Sequence, residues 1–308
     1  MVALLDLQAQ RRRLDPQLDE AIRRVLEHGR FILGPEVAML EHRLAEYCGV
    51  AHAVTCGNGT DALHLALMAL GVGPGDAVFV PSFTFAATAE AVALVGATPV
   101  FVDVDAASVT LDAARLPAAW TYVTHHTALR PRGIIAVDLF GHPADYRTIG
   151  AFAAAHGLFV MADGAQAFGA RDNGMPVGAL APITTTSFFP AKPLGCYGDG
   201  GAIFTTDAEL ADRLRSLRAH GQGRDRYDTA RIGMNSRLDT LQAAILLEKL
   251  TVFDEEMTAR RRLAARYQAG LAQAVTTPTL RPGVASAWAQ YTIRLTDRAV
   301  EREIFLNP

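Results

Sequence analysis

Three positions carry side chains whose type and setting suit chemistry better than packing. Lys192 follows the apolar run Ser187-Phe188-Phe189 and is hemmed in by Pro190, Pro193 and Gly195. Lysine is seldom buried without a partner or a task. Once desolvated, its amine can act as a Schiff-base nucleophile and then as a general base. Taken alone, the segment reads equally well as a loop with a surface lysine. Asp163 closes the run Leu158-Phe159-Val160-Met161-Ala162 and precedes Gly164-Ala165-Gln166. A carboxylate at a strand end can reach into a shared cleft. Beside a pyridine nitrogen, an ionised Asp keeps that nitrogen protonated, as an electron-sink cofactor requires. A helix N-cap and a metal ligand are the alternatives, and no second carboxylate or histidine stands at ligand spacing. Gly57-Asn58-Gly59-Thr60-Asp61 joins an apolar stretch to a helical one. Small residues admit an anion to backbone N–H groups, the helix adds its positive end, and Thr60 adds a hydroxyl. By itself this is more simply a turn capped by Asn58, Thr60 or Asp61. It is neither a P-loop nor a GxGxxG fingerprint.

A fourth segment, Gly233-Met234-Asn235-Ser236-Arg237-Leu238-Asp239, precedes a helical stretch, with Ser236 and Asp239 spaced like a capping box. Nothing in its spacing brings it to the other three. His220 sits in Arg218-Ala219-His220-Gly221-Gln222-Gly223 and is undecided on its own. His125, His126 and His142 have no third ligand at zinc-like spacing, so they read as loop or surface histidines and no metal is expected.

The elements that must position these residues alternate. Helical periodicity covers 15–29, 35–48, 62–70, 84–95 and 146–156, and apolar strand runs cover 51–56, 77–81, 99–104, 134–139, 158–163, 184–189 and 202–205. Gly71 ends a helix and Gly73-Pro74-Gly75-Asp76 makes a turn. Such alternation implies an α/β sheet, largely parallel and covered on both faces, with ligands at the C-terminal strand ends. Long helices follow at 238–250 and 255–271. Pro278 and Pro282 mark a linker, and Ala289–Leu295 reads as the first strand of a second domain.

The chain's 308 residues suffice for one large domain and a smaller one. A hydrophobic share of 50% against 20% charged residues implies a sizeable core and excludes disorder. The formal net charge is −3 with the signs interspersed, so nucleic acid is not an expected partner. Arg11-Arg12-Arg13 reads as a solvated helix face. Cys48, Cys56 and Cys196 are odd in number and lack a CxxC pair, which fits reduced thiols in the cytoplasm. The N-terminus has no signal-peptide core. The most apolar stretch, 86–102, is broken by Glu90, Gly96 and Pro99, so no membrane span is expected.

Taken together and in order, these segments resemble the DegT/DnrJ/EryC1/StrS family of pyridoxal-phosphate (PLP) dependent sugar aminotransferases. The resemblance runs from about Leu4 to Leu295. It includes Gly57–Leu70, Pro81-Ser82-Phe83-Thr84-Phe85-Ala86-Ala87-Thr88, Phe101-Val102-Asp103-Val104-Asp105, Asp163–Ala170, Ser187–Gly201 and Gly233–Ala244. The Ile135–Tyr146 and Met234–Leu250 segments look nearest to enzymes that make 3-amino sugars on UDP-linked 2-acetamido glucuronic acids. The resemblance implies PLP fold type I, with a mostly parallel seven-stranded sheet in a large domain over 1–250 and an incomplete small domain over 251–308.

It also implies roles. Lys192 would bind PLP covalently, Asp163 would pair with the pyridine nitrogen, and Gln166 would contact the phenolic oxygen. Phe85 would stack on one ring face and Ala165 pack on the other. Gly59, Thr60 and Ser187, with Asp61 beside them, would hold the phosphate. Asn235 would reach the neighbouring subunit's phosphate in a homodimer with shared sites. Arg237 and His220 would face the substrate. Glutamate would donate the amino group and a nucleotide-linked keto sugar would accept it, for a surface polysaccharide or related glycan. Family members continue past Trp288-Ala289-Gln290-Tyr291-Thr292, so the resemblance also implies a shortened C-terminus. A catalytically impaired PLP-binding homologue is then an alternative. A PLP-dependent sugar dehydratase is another, although those enzymes replace the lysine with histidine.

Overall fold

A computed structural model describes residues 6–223, 225 and 227–295. Its strands are β1 (His52–Cys56), β2 (Asp76–Pro81), β3 (Thr98–Val102), β4 (Arg130–Val137), β5 (Phe159–Asp163), the two-residue β6 (Arg171–Asp172) and β7 (Met175–Pro176), β8 (Ile183–Ser187), β9 (Gly201–Thr205) and β10 (Val284–Ala285). Seven of them form the central sheet in the order β1-β9-β8-β5-β4-β2-β3. β3, β2, β4, β5 and β8 run parallel, while β9 is antiparallel to both β8 and β1. The mostly parallel seven-stranded sheet expected from the sequence is present.

The helices are α1 (Leu7–Leu14), α2 (Gln17–His28), α3 (Pro35–Cys48), α4 (Gly59–Ala69), α5 (Ala87–Leu94), α6 (Leu116–His126), α7 (Tyr146–His156), α8 (Ala208–Leu217), α9 (Thr240–Leu250) and α10 (Phe253–Leu271). Side-chain alternation along the strands feeds two cores. Val54, Cys56, Val78, Val80, Ile135, Met161, Ile183 and Ile203 face α4, α5 and α8. Ala77, Phe79, Ile134, Ala136, Val160 and Ala162 face the opposite way, against α6 and α7. On that same side Ala53, Ala202 and Phe204 meet α3 and α9. Because α4 is covered by β8, β9 and α5 at once, it is apolar nearly all round, with Leu63, Leu65 and Leu67 buried. Truncating such a leucine to alanine costs roughly 2–5 kcal/mol.

Several expectations need correction. The helix read over 84–95 begins only at Ala87, which leaves Ser82–Ala86 as a loop beside the β2 end. α6 and α8 were not legible in the apolar pattern. α6 carries β-branched Thr121, Val123 and Thr124, which weaken the helical signal. α8 did carry a cap, because the Asp207 side chain accepts from the Leu210 N–H at 3.0 Å. The strand read over Ala289–Leu295 is absent. Arg294 makes only an isolated bridge with Thr276, and Trp288 takes a left-handed backbone (φ 47°) as its ring stacks on Tyr291. Alternation in Tyr291–Ile293 therefore reflects aromatic packing on α10, where Tyr267 meets Tyr291, rather than strand pairing. β10 instead pairs antiparallel with β6. The core continues past residue 250, since Phe253 and Met257 pack with Phe168 and Leu246. The chain end at Phe305–Pro308 lies outside the described residues.

Candidate active site

The C-terminal ends of β5 and β8 meet the starts of α4 and α5: Gly59 lies against Ser187, Thr88 against Asp163, and Lys192 within reach of the Asp163 charge. Asp163, last residue of β5, is 6% exposed. Its Oδ2 accepts the Thr88 hydroxyl at 2.9 Å, and its Oδ1 accepts the Ala165 N–H at 3.2 Å. Burial pushes its pKa up, while the Thr88 and Ala165 hydrogen bonds and the charge of Lys192 pull it down. Lys192 lies in the loop after β8 and is half-buried; desolvation lowers its pKa and the charge of Asp163 opposes that shift. The two charges thus act on one another, Asp163 favouring the charged lysine and burial opposing it.

Gly59 opens α4 directly opposite Ser187, the last residue of β8. A Cβ at Gly59 would lie 2.7 Å from the Ser187 Cβ, so only glycine fits there. The N–H groups of Gly59 and Thr60 occupy the first helical positions and have no intrahelical acceptor. Asn58 caps the helix, accepting the Asp61 N–H at 2.8 Å. The Asp61 carboxylate accepts the Ser236 hydroxyl at 2.6 Å, and Ser236 Oγ accepts the Gly57 N–H at 2.9 Å. Ser236 thereby fastens the Gly233–Asp239 segment to the Gly57–Asp61 turn, a link that the spacing did not reveal.

Gln166 is oriented by its neighbours. Its Oε1 accepts the Phe140 N–H at 2.6 Å, which leaves the amide NH₂ as the outward donor. Phe85 is 71% exposed in the Ser82–Ala86 loop, an apolar ring with an open face. Asn235 and His220 are exposed and Arg237 is half-buried. The segments of Asn235 and His220 are tied by an isolated bridge between Ala219 and Asn235, and by the His220 N–H donating to the Met234 carbonyl. These three side chains make no hydrogen bond to the Asp163–Lys192 cluster. Sequence reading gave Thr88 no role, although its place in the first turn of α5 puts the hydroxyl on Asp163.

A cavity of about 680 Å³ lined by Asp212, Arg215, Gln222, Asp228 and Arg231 shares no residue with this cluster. Among the described residues no group of His, Cys, Asp or Glu could hold a metal ion, and no helix is long and apolar enough to cross a membrane.

The residues fit PLP on this geometry. A buried carboxylate without a full countercharge suits a pyridinium N–H. The glycine-lined helix start with free N–H groups and the Ser187 hydroxyl suits a phosphate. The exposed Phe85 ring suits a stacked heterocycle, and the outward Gln166 amide suits a phenolate oxygen.

Comparison with known proteins agrees. Residues 12–307 match the DegT/DnrJ/EryC1/StrS aminotransferase family. A UDP-2-acetamido-2-deoxy-3-oxo-D-glucuronate aminotransferase of Pseudomonas aeruginosa is 50% identical over 97% of this chain and 81% of its own length. The crystal structure of a DegT DnrJ EryC1 StrS aminotransferase from Brucella abortus superposes with a TM-score of 0.95 at 54% identity, covering 97% of this chain and 80% of that one. NtdA from Bacillus subtilis, solved with bound cofactor PMP, gives a TM-score of 0.85 at 30% identity over 94% of this chain and 65% of that one. The chain belongs to the DegT/DnrJ/EryC1/StrS aminotransferase family and is a PLP-dependent aminotransferase of fold type I.

Proposed function

We propose that this protein moves the amino group of glutamate to the keto carbon of a nucleotide-linked sugar. Its acceptor is a UDP-linked 3-oxo sugar acid, and its product is an amino sugar for polysaccharide or related glycan synthesis. The carrying observation is the buried Asp163 at the end of β5, its two carboxylate oxygens held by Thr88 and Ala165, with Lys192 on the loop after β8 near enough for the two charges to act on one another. The 50% identical Pseudomonas aeruginosa relative supports the acceptor class.

When bound, PLP supplies a conjugated ring that stores the electron pair released at an amino acid's Cα. Asp163 holds a proton on the pyridine nitrogen, and Thr88 and Ala165 hold Asp163. Lys192 Nζ would bind the cofactor at rest; once glutamate displaces it, the free amine would carry the proton from the glutamate Cα to the cofactor and, in the second half-reaction, from the cofactor to the sugar carbon that gains the amine. Gln166 donates to the phenolic oxygen. Gly59, Thr60 and Ser187 bind the phosphate, with Asp61 positioning that helix start through Ser236. Phe85 and Ala165 enclose the ring and exclude water. Arg237 meets the acidic group of the sugar, and His220 lies beside the substrate. Asn235, exposed in this chain, reaches the phosphate of a second copy in a homodimer. We place the cofactor-binding part at residues 1–250 and the small domain at 251–308, with Phe253 and Met257 at the head of α10 packed back on the core of the large domain. The three buried free thiols fit a cytoplasmic location.

The test is a product assay with PLP, glutamate and a UDP-linked 3-oxo-glucuronic acid. A new sugar amine formed together with 2-oxoglutarate supports the reading, and a deoxy sugar or no conversion rejects it. Lys192→Ala should abolish conversion while the circular dichroism stays native.

A further inference from the structure

The Lys192 loop is gripped from below by a buried lysine. Lys249, in the last turn of α9, is 2% exposed, among the most deeply buried side chains of the described chain. Its Nζ donates to the Gly195 carbonyl at 2.6 Å and sits 4.4 Å from the centre of the Tyr197 ring. Among the described residues no carboxylate pairs with it. Burial pushes its pKa down to about 8. An apolar side chain of similar volume would avoid this desolvation cost, and buried charges are commonly replaceable in that way. The position nonetheless carries a cation, and that cation is spent on one backbone carbonyl.

That carbonyl closes the loop bearing Lys192. The Lys192 N–H donates to the Phe189 carbonyl at 2.8 Å and the Cys196 N–H donates to the Phe188 carbonyl at 2.8 Å. The chain folds back so tightly that a Cβ at Gly195 would lie 2.6 Å from the Pro190 carbonyl oxygen. Two residues further, at Tyr197, Gln242 holds the other side. Its Oε1 accepts the Tyr197 N–H at 2.8 Å and its Nε2 donates to the Tyr197 carbonyl at 3.4 Å. Gln242 and Lys249 are seven residues apart, so they lie on one face of α9 two turns from each other. The same helix begins at Thr240, whose N–H donates to the Phe31 carbonyl at 2.9 Å and whose hydroxyl accepts the Gly34 N–H at 3.0 Å.

We propose that Lys249 and Gln242 form a two-point clamp from α9 that sets the position of the Lys192 loop, so that both are positioning residues for the amine that binds PLP. Neither touches the cofactor cleft; both act through residues 195–197. The inference rests on Lys192 being the PLP-linked lysine.

The test follows covalent attachment of PLP to Lys192 in the full chain. Apoprotein is mixed with PLP, the linkage is trapped with borohydride at timed intervals, and the modified peptide is quantified by mass spectrometry; the pH titration of the visible band is recorded alongside. Lys249→Met should fold, with a melting temperature no lower than that of the parent, yet attach PLP at Lys192 about tenfold more slowly and with a displaced band titration. A folded Lys249→Met that links at the parental rate with the parental titration overturns the clamp. If Lys249→Met does not fold, Gln242→Leu decides: it removes both bonds to Tyr197 without touching a buried charge. Slowed linkage there supports the clamp and parental linkage overturns it. If the parent protein itself links PLP at another lysine or at none, the Lys192 reading falls and the clamp with it.

Discussion

Two aspartates end neighbouring strands at the same height, and their surroundings differ. Asp163 closes β5; Asp138 follows β4 one residue after Val137, the register partner of Asp163, and donates its N–H to the Asp163 carbonyl at 3.0 Å. Both are buried and both accept one hydroxyl and one N–H. Asp163 receives them on separate oxygens, from Thr88 and Ala165. Asp138 receives both on Oδ1, from the Tyr146 hydroxyl at 2.8 Å and the Ala144 N–H at 2.8 Å, and its Oδ2 has no partner. Lys192 bears on the charge of Asp163. Asp138 has mainly its own burial, which pushes its pKa up to about 8. Burial alone therefore does not make a carboxylate a cofactor partner. Asp163 differs in having a donor on each oxygen and the charge of Lys192 acting on it, which offset part of the cost of burying the ion.

The comparison is broken most severely at Asp163. Asp163→Asn should lower transamination by about 10²–10³-fold, because a neutral amide cannot hold a proton on the pyridine nitrogen. Steady-state turnover with glutamate checks this, with circular dichroism as the control for folding. Turnover near the parental rate would remove Asp163 from the mechanism. Thr88→Val comes next. It deletes a hydrogen bond to a charged group, about 1.5–3 kcal/mol, and should cost roughly tenfold or more in turnover.

Asp138→Asn should leave turnover nearly unchanged. Its effect appears in stability against pH. With a folded pKa of about 8 against an ordinary 3.8, the folded chain keeps a proton that the unfolded chain loses across that window. Stability is therefore shed as pH rises from about 4 to 8. The asparagine variant has no such proton, so its melting temperature should fall less over that range and match or exceed the parent at pH 8. A parental slope in the variant would show that Asp138 is ionised in the folded chain. The smallest expected effect is at His142, whose Nδ1 meets the Ser286 hydroxyl at 2.8 Å and whose pKa burial pushes down to about 4. The unfolded chain takes a proton as pH falls below about 6.5 and the folded chain does not, so stability is lost between about 6.5 and 4. His142→Gln should flatten that acid limb in thermal melts.

Much of this was legible in the sequence, for identifiable reasons. β2, β4 and β5 are continuous apolar runs because parallel strands are buried on both faces. Gly59, Lys192 and Asp163 stood out as residue types that fit poorly where they lie unless they have a task. Asp138 and Asp163 end near-identical apolar runs, so no local pattern separates them; the donors that do so come from α5, from the turn before α7 and from Tyr146 at the start of α7. Ser236 on Asp61 and Lys249 on Gly195 are 175 and 54 residues apart in sequence, and no spacing rule reaches that far. The Ala289–Leu295 expectation failed because alternation also arises when aromatic rings pack on a helix.

The central claim is that Lys192 is the PLP-linked amine of a working transaminase site. The most direct measurement is the visible absorption spectrum of the purified chain with PLP, before and after glutamate, beside Lys192→Ala. The parent should show a visible band that is absent in Lys192→Ala and bleaches when glutamate is added. A band that persists in Lys192→Ala, or one that glutamate never bleaches, would contradict it.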